Sequence, residues 1–404
     1  MHTLIRCILY TAITSLAVCQ TLDIETLERL VIENNYQLLA RAKQINIQHG
    51  KLSQSRKLPN PVLGFVSGSG ADPETSGMIS QTIQLGGKRK HKIKLSELEL
   101  EKVELEYEKL KLEKLTVAFQ LFVKILHLQE LKSLQNDRIS VAEELLISVS
   151  KKVEAGKLSP AEHSRAKIQH FQEQMKLNVL NTELERVWIS ISALYGGEKT
   201  SFDYAEGDFR HIPIIARSNI LDNSLAIKLA ELSVDIQRIA IKSEKAEAIP
   251  NLDMGAGLKR SDVPGNTFQI GLSISIPIFN RNQGNIQSAV FGLDGKAFAL
   301  KSVESQLMSE YVNIKKELDL LYSETTMLKE EIIPEAQNAY IIISDGYLNG
   351  RFSYLDVVDA QKMWFLSRSQ YLDALKKYHY NIFELNRISG NNNQTTFKER
   401  SNHE

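Results

Sequence analysis

The chain carries one long pattern twice, and that duplication constrains its architecture more than any single motif. Leu58-Pro59-Asn60 recurs as Ile249-Pro250-Asn251. Gly156, in Val153-Glu154-Ala155-Gly156-Lys157-Leu158-Ser159, recurs as Gly350, in Tyr347-Leu348-Asn349-Gly350-Arg351-Phe352-Ser353. Leu194-Tyr195-Gly196 recurs as Ile388-Ser389-Gly390. The last two pairs share one offset of 194 residues, so the segments between them are equally long. Each copy reads as a long helix, two short strands, a very long helix, a glycine turn and a long return helix. The copies span about 22–207 and 208–390, with a polar tail at 391–404. Each is half of one fold rather than an independent globule.

Lys plus Arg and Asp plus Glu balance at 49 each, so no net field argues for nucleic acid or an acidic partner. Charged residues make up 24 % and aromatic residues 7 %, which suits long solvated helices better than one thick core. Residues 1–19 read as a secretory signal peptide, with Arg6 as the positive end and a mostly apolar, uncharged 7–18. No later run reaches the roughly 18–20 apolar residues of a spanning helix, so any membrane crossing falls to strands. Ala17-Val18-Cys19 fits a small-residue cleavage site; Leu16-Ala17-Val18-Cys19 also resembles a lipobox, which would leave a lipidated Cys19. Both cysteines lie in this segment, so the mature chain has no disulfide and no thiol ligand for a metal.

Residues 267–279 alternate with period two. Phe268, Ile270, Leu272, Ile274, Ile276 and Ile278 share one face; Gln269, Gly271, Ser273, Ser275 and Pro277 share the other. An apolar face backed by a small polar one is what a strand between lipid and a watery lumen requires. Its partner is expected at 252–259, and the first copy repeats the hairpin at 62–68 and 78–85. One such hairpin alone would read as cover for a soluble core. Two equivalent hairpins in an exported chain read as membrane strands. Four strands cannot close a barrel, and an open edge is not tolerated in lipid. Closure therefore demands oligomerisation: two chains reach about eight strands and three about twelve.

From 88 to 155 there is neither proline nor glycine, and Leu98, Leu105, Leu112, Phe119 and Leu126 repeat every seven residues. Val103, Leu110 and Val117 form a second stripe, which predicts coiled-coil packing against neighbours on two sides. Such a helix would run about 100 Å. Its counterpart at 284–345 is less regular, and Pro334 predicts a kink or local bend there. Ser159 and Ser353 are predicted N-caps of the return helices, with Glu162 and Asp356 as capping-box partners. Gly156 and Gly350 fit left-handed positions closing the preceding helices. Each copy thus ends in a helical hairpin whose tip lies far from the strands.

Asn34-Asn35-Tyr36-Gln37-Leu38, Leu58-Pro59-Asn60-Pro61, Gln84-Leu85-Gly86-Gly87-Lys88-Arg89, and the runs 275–284 and 346–360 carry a family resemblance. In this order, and doubled, they resemble the TolC-type outer-membrane efflux channels, most of all the branch that serves heavy-metal resistance pumps. The family usually has proline where Tyr36 stands. The resemblance implies a membrane α+β fold. Four strands per chain would form a twelve-stranded barrel in a homotrimer, in the outer membrane of a Gram-negative bacterium. The coiled-coil helices would form an α-barrel across the periplasm. The implied partners are outer-membrane lipid, an RND-type inner-membrane pump, and a periplasmic adaptor gripping tips at Gly156, Lys157, Ser159, Gly350 and Ser353.

Asp356 and Asp359 stand three apart, so they share one helix face beyond the second tip. Three chains would place six carboxylates around one axis, a ring that selects cations. In the family, aspartates at these positions line the closed periplasmic entrance, and a tyrosine at the place of Tyr347 helps latch it. The latch also uses an arginine where this chain has Phe352. Arg351 is adjacent but would point elsewhere. Asp356 reads equally as a helix cap. Lys88, Arg89, Lys90, Lys92 and Lys94 read as a solvated junction at the membrane surface or as an anion-attracting ring.

No nucleophile–base constellation and no compact ligand cluster stands out. The chain therefore reads as a non-enzyme with no cofactor and no tight metal site. The leading expectation is a passive exit duct of a tripartite efflux system, for metal cations. A type I protein-secretion duct uses the same fold, and a periplasmic coiled-coil adaptor or scaffold lipoprotein tethered at Cys19 is the third reading.

Overall fold

A computed structural model describes residues 21–69, 74–197, 202–213, 223–261 and 265–391. The expected signal with Cys19, the tail beyond 391 and the centres of both strand turns lie outside the described residues. The first copy runs β1 (Thr21–Leu22), α1 (Ile24–Asn34), α2 (Tyr36–Ser55), β2 (Val62–Gly68), β3 (Glu74–Ile83), α3 (Lys88–Glu154) and α4 (Pro160–Leu194). After β4 (Tyr204–Ala205) the second copy follows as α5 (Leu225–Glu247), β5 (Leu252–Ser261), β6 (Asn266–Ile274), α6 (Gln283–Met327), α7 (Ile333–Leu348) and α8 (Tyr354–Ser389).

The helices end where their residues dictate. Gly156 (φ 69°) and Gly350 (φ 77°) are left-handed. At each, the next amide reaches back five residues: Lys157 N–H donates to the Lys152 carbonyl at 2.8 Å and Arg351 N–H to the Gly346 carbonyl at 2.7 Å. These matched glycine caps turn both hairpins. Ser159 and Ser353 are N-caps, as the spacing predicts. Only the second is a full capping box, with Ser353 N–H donating to Asp356 Oδ2 at 2.7 Å. Glu162 does not complete the first box; one of its carboxylate oxygens is buried with no hydrogen-bond partner. Near Pro334 the helix is interrupted by a π-helical turn at Leu328–Ile332, between α6 and α7. Proline has no N–H to give the preceding turn, and a wider turn absorbs the missing bond.

The four long strands form one antiparallel sheet in the order β2-β3-β5-β6. The register places Leu63 opposite Ile79, Met254 opposite Leu272, Ala256 opposite Ile270 and Leu258 opposite Phe268, all on one face. The other face carries Ser80, Thr82, Gly255, Gly257, Gly271 and Ser273. β6 stops at Ile274, so Ile276 and Ile278 are not strand residues. Pro277 cannot donate to a ladder, and Ile278 N–H turns back onto the Ile276 carbonyl at 2.9 Å.

The helices repeat the order of the sheet. Nearer the strands they lie as α2-α3-α5-α6; nearer the tips they lie as α4-α3-α8-α7. A stacked pair from the first copy therefore forms one edge, and a helix interrupted only by the π turn forms the other. The core lies where α1, α3, α4, α8 and β4 meet, around Phe119, Phe122, Ile191, Phe365, Leu375 and Phe383. Each buried large side chain there contributes about 1.5–3 kcal/mol of transfer free energy. The first heptad stripe supplies Phe119 and Leu126 to this core and leaves Leu112 buried outside it, whereas Val117 of the second stripe is exposed on a single chain. Asn35 ties in the N-terminus by capping α2 and donating to the Leu194 carbonyl at 2.6 Å.

Candidate functional site

The two hairpin tips meet within one chain. A small apolar cluster of Val149, Ala166, Tyr347, Tyr354 and Val357 joins α3 and α4 to α7 and α8. Tyr347 is buried, and its hydroxyl has no hydrogen-bond partner. Burial, and then the nearby Glu162 carboxylate, raise its pKa. The side chain that engages Tyr347 comes from the opposite hairpin: Lys152 Nζ lies 3.6 Å from the centre of its ring and donates to its backbone carbonyl at 2.7 Å. The ring face and the carbonyl oxygen both favour the cation. Burial and the Lys157 charge act against it and lower the lysine pKa.

Asp356 is exposed and accepts hydrogen bonds from Ser353 N–H and Oγ at 2.7 Å each. These bonds hold its carboxyl below the usual range. Asp359, one helical turn on, is also exposed, and its carboxylate has no ion pair or side-chain hydrogen bond among the described residues. The two carboxylates thus share a face but differ in freedom: one closes the helix end, the other points outward unpartnered. Arg351 is exposed on the turn. Phe352 folds back onto α7, where its ring covers Gly346 so closely that a Cβ there would collide with it. Gly156, Lys157, Ser159, Gly350 and Ser353 are all exposed or half-buried at the tips.

At the other end of the molecule, the apolar face of the sheet has no cover from the chain's own helices. Phe268, Ile270, Leu272 and Ile274 are each more than half exposed. The opposite face carries the polar contacts: Lys259 pairs with Glu74 at 2.6 Å, and Thr82 bonds Asp253. Among the described residues, the outermost strands, β2 and β6, have no partner on their far sides. No described helix is long and apolar enough to cross a membrane. Among the described residues, no group of three or more His, Cys, Asp or Glu is arranged to hold a metal ion.

Sequence reasoning places Tyr347, Asp356 and the tip glycines at one end and the amphipathic strands at the other, and the fold brings each set together. It misses Lys152, whose only signal is a basic residue in the last turn of α3.

The sequence pattern of the family described as outer membrane efflux proteins matches residues 27–197 and 216–391. The cobalt-zinc-cadmium resistance protein CzcC of Cupriavidus metallidurans is 27 % identical over 376 residues, covering 91 % of this chain and 90 % of that protein. Among solved structures, the outer membrane protein VceC of Vibrio cholerae superposes with a TM-score of 0.78 at 15 % identity, covering 91 % of this chain and 96 % of that one. CusC superposes with a TM-score of 0.76 at 16 % identity, covering 91 % and 92 %. At such low identity the solved structures speak for the fold alone.

Proposed function

Because the chain belongs to the outer membrane efflux protein family, we propose that three copies close head to tail into a passive duct crossing the outer membrane and the periplasm. The observation that carries this reading is the agreement of three layers. The sheet, the upper helices and the lower helices each leave one edge from the first copy (β2, α2, α4) and one from the second (β6, α6, α7). Joining unlike edges gives a heterologous contact, which closes into a ring. Two chains would make eight strands, a barrel whose interior its own side chains fill. Three make about twelve, enough for a water-filled passage. The exposed apolar stripe Ile168, Phe171, Met175 and Val179 on edge helix α4 is then covered by α7 of the next protomer.

The cargo proposed is a divalent metal cation, a reading supported by CzcC, a relative named for cobalt, zinc and cadmium resistance. The duct works without chemistry of its own, as an exit for what an RND-type inner-membrane pump and a periplasmic adaptor deliver. The tips at Gly156 and Gly350 are the proposed adaptor grip. Tyr347, Asp356 and Asp359 form the proposed entrance, with Arg351 beside it. The exposed carboxylates favour cation over protein cargo, so the metal reading stands ahead of type I secretion.

Deletion of the gene and complementation with the full chain test the assignment. Loss of tolerance to cobalt, zinc or cadmium, restored by the intact chain, is the expected result. Unchanged metal tolerance together with loss of a secreted protein would move the protein to the secretion class.

A further inference from the structure

Where strands give way to helices, the first copy is strongly basic. Residues 51–60 and 84–96 hold eight Lys or Arg and no Asp or Glu, in a chain whose charges cancel overall. The fold brings these segments together: Arg89 Nη2 donates to the Arg56 carbonyl at 2.7 Å, and Gln81 Nε2 donates to the Pro59 carbonyl at 2.9 Å. Part of the charge is neutralised or tied down internally. Lys88 is 7 % exposed and bonds Asn251 Oδ1 at 2.8 Å, while Arg56 and Lys94 share Glu97. Lys57, Lys90 and Lys92 are exposed and have no ion pair within the described residues. No acidic residue offsets the basic ones in the first turn of α3, where cations oppose the helix dipole. Their placement costs the fold stability, and an anion from outside would offset that cost.

The same rim exposes large apolar side chains that belong to no strand. Leu58, beside Lys57, is 66 % exposed, Ile276 77 % and Phe279 90 %. Arg281 is exposed two residues after Phe279. In the ring proposed above, β6 meets β2 of the next protomer, so Phe279 and Arg281 of one chain lie near Lys57 and Leu58 of its neighbour. Apolar side chains interleaved with unpaired cations, at the end of an apolar sheet face, fit the boundary between acyl chains and headgroups. A basic lumen ring would leave those apolar groups in water.

We infer that this rim is a lipid-binding collar. Leu58, Ile276 and Phe279 enter the acyl boundary, and Lys57, Lys90 and Lys92 hold the phosphates of anionic phospholipids in the periplasmic leaflet. The inference rests on the duct reading and adds its lipid partner.

The test uses the full-length protein in detergent, titrated with phosphatidylglycerol, with phosphatidylcholine, or with inorganic phosphate, while the temperature of trimer dissociation is followed. Phosphatidylglycerol should stabilise the native protein, and neither control should. The Lys57→Gln/Lys90→Gln/Lys92→Gln variant should need roughly tenfold to a hundredfold more phosphatidylglycerol for the same effect. The corresponding triple Lys→Arg variant should behave as native. Equal stabilisation of native and Gln variant, or full stabilisation by inorganic phosphate, overturns the collar. A chain that needs no detergent and forms no trimer fails the duct reading instead, and the two failures are distinguishable.

Discussion

Lys152→Met isolates the contact that joins the two hairpin tips. Methionine keeps an unbranched apolar stem to cover Tyr347 and removes only the ammonium group. Two interactions are lost: the cation over the ring at 3.6 Å and the hydrogen bond to the Tyr347 carbonyl at 2.7 Å. The first is worth about 0.5–1 kcal/mol at a partly exposed site. The second, from a charged donor, is worth about 1.5–3 kcal/mol when desolvated, and less here because water reaches the half-buried lysine. Together they amount to about 1–2 kcal/mol per protomer, a factor of roughly 5–30 in the equilibrium for parting the hairpins. Single-channel recording in a planar bilayer reads this as a rise in the open fraction, with trimer content measured on the same preparation. Lys152→Arg retains a cation and donors and should stay near native. If Lys152→Met leaves the open fraction unchanged while trimers remain intact, the clamp does not hold the entrance and the argument from its geometry is wrong.

Leu272→Arg puts a charge in the middle of the apolar face and should cost about 2–4 kcal/mol per protomer, lowering membrane yield of trimers, whereas Ser273→Arg on the opposite face should assemble; equal yields would refute the assigned faces. Asp359→Ala should raise conductance and weaken cation preference with trimers intact, and unchanged conductance, selectivity and divalent block would move the gate elsewhere. Asp356→Ala should in addition loosen the start of α8, because Ser353 N–H and Oγ lose their acceptor, which makes Asp359 the cleaner probe. His379 is fully buried with Nε2 2.9 Å from the Phe209 carbonyl, and burial pulls its pKa down to about 4. An unfolded histidine titrates near ~6.5, so the unfolded chain binds more protons between these values. Stability is then full above that pH and lost as pH falls toward 4. His379→Gln should flatten that acid limb, and an unchanged acid midpoint would exclude His379 as its source.

The duplicated glycine turns, the long helix at 88–154 and the alternating strands were legible because each rests on local physics: a left-handed residue, a seven-residue stripe, a two-residue period. An interruption near Pro334 was legible from its missing backbone donor, although its form as a π turn was not. The end of β6 was misplaced by period alone. Alternation continues through Ile276 and Ile278, but Pro277 removes the ladder donor that pairing needs. The site at the tips was legible only in part. Asp356 and Asp359 follow from spacing, whereas Lys152 meets Tyr347 across 195 residues of sequence, and neither residue has a local pattern that announces the other. The order of the helices is likewise a property of packing, and the two unlike edges it leaves emerge only when all three layers are compared.

The position of the tip cation has a mechanical consequence. The resemblance places an arginine where this chain has Phe352, whose ring lies against Gly346 while staying 40 % exposed. The apolar ring closes the turn instead, and the cation that engages Tyr347 comes from α3 of the same protomer. A clamp built within one chain resists the parting of that chain's own hairpins and leaves the neighbours unlinked through it. In the proposed trimer three such clamps would act in parallel, so each protomer would release at its own cost of about 1–2 kcal/mol rather than through one shared lock. On that proposal, an adaptor levering the Gly156 and Gly350 tips apart would need only enough differential contact with the parted state to exceed that cost in each protomer. Asp359, one turn beyond the capping aspartate and without an ion pair among the described residues, would on the same proposal be free to face a cation passing as the ring widens.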